Sequence, residues 1–148
     1  MNSSAFLFSV VLSLALALFQ CQRPDGVDLK QATPAATLNT LFALARAEQV
    51  APLAGLCDPQ ARNDGDTDCL CALSPDYQPH SCPTHSPNRI PPAAFFKCFA
   101  RAEVRGEIVY RSETVAEVPF RASQQHCGFA SETMRLIYVD QRWYLESF

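Results

Sequence analysis

Seven cysteines in a chain of 148 residues constrain this protein more than any other feature. They stand at Cys21, Cys57, Cys69, Cys71, Cys82, Cys98 and Cys127. Cysteine at this density supplies crosslinks in an oxidising compartment, and thiolate ligands or nucleophiles in a reducing one. An odd count leaves one cysteine without an internal partner. Cys21 sets itself apart, because it follows closely on the 15-residue apolar run AFLFSVVLSLALALF, Ala5 to Phe19. Residues 1–20 carry no charged side chain. A helix crossing ~30 Å of hydrocarbon needs about 20 apolar residues, so this run is short for a permanent span and suits the core of an export signal.

Two processing readings arise at this point. Ala15-Leu16-Ala17 has the small-x-small pattern of an ordinary signal-peptidase site. Leu18-Phe19-Gln20-Cys21 instead resembles the lipobox of bacterial lipoproteins at its Leu and Cys, with Gln20 where that pattern has a small residue. Pairing arithmetic favours the second. If Cys21 is acylated, six cysteines remain, an even set able to form three disulfides. The chain then divides into a signal peptide (1–20), a tether (21–32) starting at the lipidated Cys21, and a single domain (33–148). The resemblance implies an exported, membrane-anchored envelope lipoprotein, with simple secretion as the alternative. The pairing among Cys57, Cys69, Cys71, Cys82, Cys98 and Cys127 stays open at this level.

Within the domain, Thr33-Pro34 suits a helix start, since Thr caps and Pro is tolerated at the first helical position. Ala35, Leu38, Leu41, Phe42 and Ala45 then recur at helical spacing, and the helix is expected to end near Glu48, ahead of Pro52. A second short helix is expected from Pro52 to Cys57, stopped by Asp58-Pro59. Residues 58–97 hold most of the chain's 11 prolines and show neither period 2 nor period 3.6, which reads as an irregular, disulfide-stapled insert. From Cys98 the pattern turns to β. Ala100, Ala102, Val104, Ile108 and Tyr110 alternate with Arg101, Glu103, Arg105 and Glu107, and Gly106 marks a bend or bulge. A second strand carries Ala116, Val118 and Phe120, with Pro119 pointing to an edge or a bulge. Strands Glu132–Val139 and Trp143–Phe148 form a closing hairpin around Asp140-Gln141-Arg142. The fold class is α+β: a long helix and a short one packed on a curved antiparallel sheet of about four strands.

Charge and composition exclude several functions. Twelve Lys+Arg against 15 Asp+Glu, a net charge of −3, leave no concentrated basic surface for nucleic acid. Five glycines leave no Gly-rich phosphate loop. Cys69, Cys71, Cys82 and His85 can be written as four zinc ligands, but their spacing is irregular and export favours disulfides. Asp64, Asp66 and Asp68 alternate like the start of a calcium loop, without its sixth-position Gly or distal Glu, and read as an acidic exposed loop. Glu103, Glu107 and Glu117 share their strand faces with Arg101, Arg105 and Arg121, which reads as solvated cross-strand ion pairing. The reading therefore assigns no metal, no cofactor and no catalytic residue.

The segment PAATLNTLFALARAEQVAPLAGLCDP (34–59) resembles the opening helix pair of the nuclear-transport-factor-2-like superfamily, and LIYVDQRWYLESF (136–148) is similar to its terminal hairpin. The resemblance implies a cone, a bent sheet wrapped around the long helix with a pocket at the open end. The superfamily contains cyclases, isomerases and non-catalytic lipoproteins. Its acid–base enzymes find no matching carboxylate or His on the apolar faces here. Tyr110, Tyr138 and His126 are the candidate pocket residues. The resulting expectation is a non-catalytic module that binds a small apolar ligand or an envelope protein. The alternative is a small isomerase or cyclase in which the tyrosines polarise a substrate oxygen.

Overall fold

The computed structural model of the protein describes residues 29–85, 87, 89–127 and 131–148. The apolar run, Cys21 and the tether as far as residue 28 lie outside the described residues. Helix α1 (Pro34–Arg46) opens the domain. The Thr33 hydroxyl accepts from the Ala36 amide at 3.1 Å, and Pro34 takes the first turn, as the sequence predicts. The helix buries Leu38, Leu41, Phe42, Leu44 and Ala45 against the sheet. The second helix is a 3₁₀ turn, Ala51–Leu56, which buries Leu53 and Leu56.

The proline-rich stretch is more ordered than its periodicity indicates. Helix α2 (Gly65–Cys71) lies inside it, capped by the Asp64 side chain, which accepts from the Thr67 amide at 2.8 Å. Helix α3 (Pro92–Phe99) begins inside it and runs past Cys98, where the sequence suggests β structure. Pro92 occupies the N-terminal turn, and Phe95, Cys98 and Phe99 form a buried i, i+3, i+4 face. The prolines here start a helix rather than break one. Cystines Cys57–Cys71 and Cys69–Cys82 staple the stretch, so Cys69 and Cys71 reach different partners. The third, Cys98–Cys127, joins α3 to a single helical turn, α4 (Gln124–Cys127).

The sheet is antiparallel and strongly curled into a half-barrel on which the helices pack. Its strands are β1 (Glu103–Val104), β2 (Val109–Ser112), β3 (Val115–Arg121), β4 (Ser131–Val139) and β5 (Arg142–Ser147). Strands β1 and β2 both pair with β3, one opposite residues 120–121 and the other opposite 115–117, so they are two halves of one broken edge strand. Gly106 sits at the break with φ +101°, a conformation L side chains rarely adopt, and a Cβ there would approach Pro119. This corrects the edge reading of Pro119. Strand β3 is central, and Pro119 accepts from the Arg105 amide beside the break. In a strand, N–H and C=O of one residue point to the same side, so the missing proline donor also faces Arg105, where the reciprocal bond of the pair cannot form and the edge strand breaks at Gly106. Asp140 and Gln141, at φ 48° and 66°, make the two-residue β4–β5 turn of the primed type that matches strand twist.

The free edge of β5 is closed by three separate segments. Gln31 O accepts from the Trp143 amide at 3.0 Å, and the Gln31 side chain donates back to Trp143 O at 3.0 Å. Cys57 bridges to Leu145 in parallel register. The Asp64 amide donates to Glu146 O at 2.9 Å. An edge that would otherwise offer unpaired donors and acceptors is thereby covered. Inside, Phe99 stacks with Phe42 and meets Phe95, Phe120 and Phe148 at ring-centroid distances of 5.6–6.1 Å, which ties α1, α3 and β3 into one aromatic core.

Leu41 is fully buried at the middle of the α1 stripe. Leu41→Ala is expected to cost about 2–5 kcal/mol, the range for a buried Leu whose cavity collapses only in part. Urea denaturation followed by circular dichroism reads this, and an unchanged midpoint would show that α1 does not pack as described.

Candidate functional site

A hollow of about 410 Å³ opens between α3, α4, α2 and the start of β4. Its apolar wall comes from Leu70, Ile90, Ala94, Phe99 and Phe148, together with the Cys98–Cys127 bridge. Asp66, His126 and Glu132 give it a polar side. Each group is placed by local structure. Ala94 and Cys98 share a face of α3 four residues apart. Leu70 projects from α2 next to the buried cystines. His126 is held on the α4 turn, whose Cys127 amide bonds Ser123 O at 2.8 Å. The size falls within the range of small-molecule pockets, and the mixture of aromatic floor and few polar groups is their usual make-up.

The candidate trio from the sequence is divided. His126 lines this hollow. Tyr110 and Tyr138 are instead gathered around Trp143, at centroid distances of 6.1 and 5.1 Å. Tyr138 lies six residues along β4 from Glu132, about 20 Å at ~3.3 Å per strand residue. The tyrosines keep the strand parity assigned to them, since Tyr110 is opposite Ala116 and Tyr138 opposite Trp143. They lie beyond the cover of the helices, with Tyr110 60% and Tyr138 36% exposed. The three side chains therefore do not form one site, and the picture of two tyrosines polarising a substrate in a pocket with His126 is corrected. Parity fixes a face, but only the packed helices fix how far along that face the core extends.

The acidic run resolves into three separate roles. Asp64 caps α2 and Asp66 borders the hollow. Asp68 is 1% exposed and is enclosed by donors. The Tyr77 hydroxyl donates to Oδ1 at 2.7 Å, and the amides of His80, Ser81 and Cys82 donate to Oδ2 at 2.7–2.9 Å, joined by the Ser81 hydroxyl at 3.2 Å. Burial by itself would raise this carboxyl; the bonds from Tyr77, Ser81 and Cys82 outweigh it and hold it below the ordinary carboxylate range. Burial and then the neighbouring carboxylate push the Tyr77 hydroxyl up. The acidic exposed loop expected here is thus partly an internal brace for the Cys69–Cys82 loop. Among the described residues no group of three or more His, Cys, Asp or Glu could hold a metal ion. The sulfurs written above as zinc ligands are spent in cystines, and His85 is exposed.

Of the expected ionic residues, Glu103 pairs within the named set, with Arg105 two residues along its own segment, and Glu117 takes another partner. Glu103 meets Arg105 at 2.8 Å, Glu117 meets Arg111 at 2.7 Å and Arg135 meets Glu146 at 2.7 Å. The first two lie at the surface, where such pairs contribute little, while Glu146 is partly buried.

Among known proteins the chain matches no family model, no curated protein and no solved structure. No helix among the described residues is long and apolar enough to cross a membrane. The site's apolar wall was missed by sequence reasoning. Ala94 and Phe99 lay in a stretch divided between irregular insert and strand, although PPAAFFKCF carries both the proline start and the i, i+3, i+4 face of a helix.

The Asp68 carboxyl titrates at about 3.9 in an unfolded chain and lower in the folded one. The unfolded state then binds more protons, so stability rises with pH across this window and is lost as pH falls through the folded value. Asp68→Asn is expected to lower stability at pH 7 by at least about 2 kcal/mol, since bonds to a charged acceptor are lost and buried amides face an NH₂ group. It also flattens the acid limb of a plot of melting temperature against pH below about 4. An unchanged acid limb would remove Asp68 from this role.

Proposed function

We propose that this protein is an exported envelope lipoprotein, tethered through an acylated Cys21, whose domain is a non-catalytic module binding a small apolar ligand in the hollow beside the Cys98–Cys127 bridge. The reading includes the cone-shaped scaffold of the nuclear-transport-factor-2-like type, for which the long α1 packed on a curled sheet is support. The observation that carries the binding role is the hollow itself, a recess of about 410 Å³ walled by Phe99, Phe148, Leu70 and Ile90. Three cystines are consistent with export, because disulfides persist outside the reducing cytosol. They also account for six of the seven cysteines and leave Cys21 as the odd one. Acylation at Cys21 adds buried CH₂ groups at about 0.8 kcal/mol each, and more than one chain gives stable attachment.

Two experiments test this. Cys21→Ser is expected to move the protein from the membrane fraction to the soluble exported fraction; retention in the membrane would defeat the anchor. Ala94 lies in the wall of the hollow. Ala94→Phe, which fills the recess, is expected to weaken binding of the neutral apolar fluorophore N-phenyl-1-naphthylamine by about tenfold or more, the equivalent of 1.4 kcal/mol. Equal binding by a folded Ala94→Phe variant would place the ligand elsewhere.

A further inference from the structure

We infer that the aromatic cluster Tyr110–Tyr138–Trp143 is a membrane-facing foot that seats the domain on the lipid surface to which its N-terminus is tied. The inference rests on the anchored reading of Cys21 and adds to it an orientation and a contact surface.

Three observations converge. First, two of the cluster's three rings, Tyr110 and Tyr138, are exposed side by side over the third. Trp143 is buried beneath two tyrosines, at centroid distances of 6.1 and 5.1 Å, and the tyrosine rings face outward. Trp and Tyr combine a broad apolar ring with a polar tip, the combination that settles at the boundary between headgroups and acyl chains. Second, the chain leaves the described domain beside this cluster. Leu29 is the first described residue, and Gln31 is bonded through both its backbone and its side chain to the backbone of Trp143. From Cys21 to Leu29 the chain can span at most about 28 Å, at ~3.5 Å per residue. An acyl group on Cys21 therefore holds Leu29 within that distance of the bilayer, and Gln31, which bonds Trp143, at most about 7 Å further. Third, the surrounding charges balance. Lys30 and Arg142 are exposed near the cluster, as are Glu113 and Asp140 in the adjoining turns, while Arg111 is already paired with Glu117. Such a surface is suited to a zwitterionic lipid through its rings rather than to an anionic one through charge.

The geometry has a functional consequence. The hollow borders Glu132, at the far end of β4 from Tyr138. A domain standing on its aromatic end holds the hollow away from the bilayer, toward the soluble phase. A lipid anchor supplies attachment, and the aromatic foot supplies the second contact that fixes orientation.

Trp143 is the chain's only tryptophan, so its emission reports on this surface directly. The full chain, purified from membranes with its native N-terminus, is reconstituted into phosphatidylcholine vesicles with plain or brominated acyl chains. Flotation reads attachment and bromine quenching reads seating. The expected result is a chain that floats and loses most of its Trp143 emission on brominated lipid. The double variant Tyr110→Ser/Tyr138→Ser is expected to float equally and to keep most of its emission. A wild-type chain that floats with unquenched Trp143 overturns the foot and leaves the anchor standing. A chain that does not float overturns the anchor, and the foot with it. Unquenched emission together with a dimer that the double variant dissolves assigns the cluster to a second copy. Unquenched emission in a chain whose intact mass retains residues 5–19 assigns it to that segment. Either result overturns the proposal.

Discussion

The structure depends on how the last strand's free edge is closed. Strand β5 has β4 on one side and no strand on the other, and the backbone groups it would expose are met by Gln31, Cys57 and Asp64. These residues belong to the segment entering α1, the exit of the 3₁₀ turn and the approach to α2. One row of backbone groups thus gathers the N-terminal entry, the helix pair and the stapled insert onto the C-terminal hairpin. The cystines act in the same direction. Cys57–Cys71 ties α2 back to the bridge residue at Leu145, and Cys69–Cys82 holds the loop whose amides wrap Asp68.

From that closure follows the division of the molecule into two ends. The Gln31–Trp143 pairing brings the start of the described chain to the aromatic end of the sheet. The Cys98–Cys127 bridge fixes α3 against α4 at the other end and forms part of the wall of the hollow. The aromatic core between them, centred on Phe99 and Phe120, is continuous from helix to sheet, so both ends are carried on one packed unit. A recess at one end and an exposed aromatic cluster at the other are thereby held in a fixed relation.

The two ends also differ in chemistry. The hollow mixes rings with Asp66, His126 and Glu132, an apolar wall with a few polar groups at its side. The cluster at Trp143 offers ring faces and phenol hydroxyls to whatever lies outside. Tyr110, Tyr138 and His126 are the pocket candidates that the sequence offers. The fold assigns the first two to a surface and the third to a recess.

The sequence by itself determined the elements whose signals are local. Thr33-Pro34 and the Leu38–Leu41–Phe42 spacing define α1, Gly106 defines the break in the edge strand, and the alternation through Val118, Met134 and Leu145 defines the inner face of the sheet. These follow from covalent geometry and a repeat period, which neighbouring residues carry without help. The tertiary structure alone decided the cystine pairing, the burial of Asp68, the central place of Pro119 and the separation of Tyr138 from His126. Each depends on which distant segments meet, and period and composition carry no record of that. Helix α3 lies between the two cases. Its signal was present in PPAAFFKCF, but it was masked by prolines that read as breakers until their place at the helix start was known.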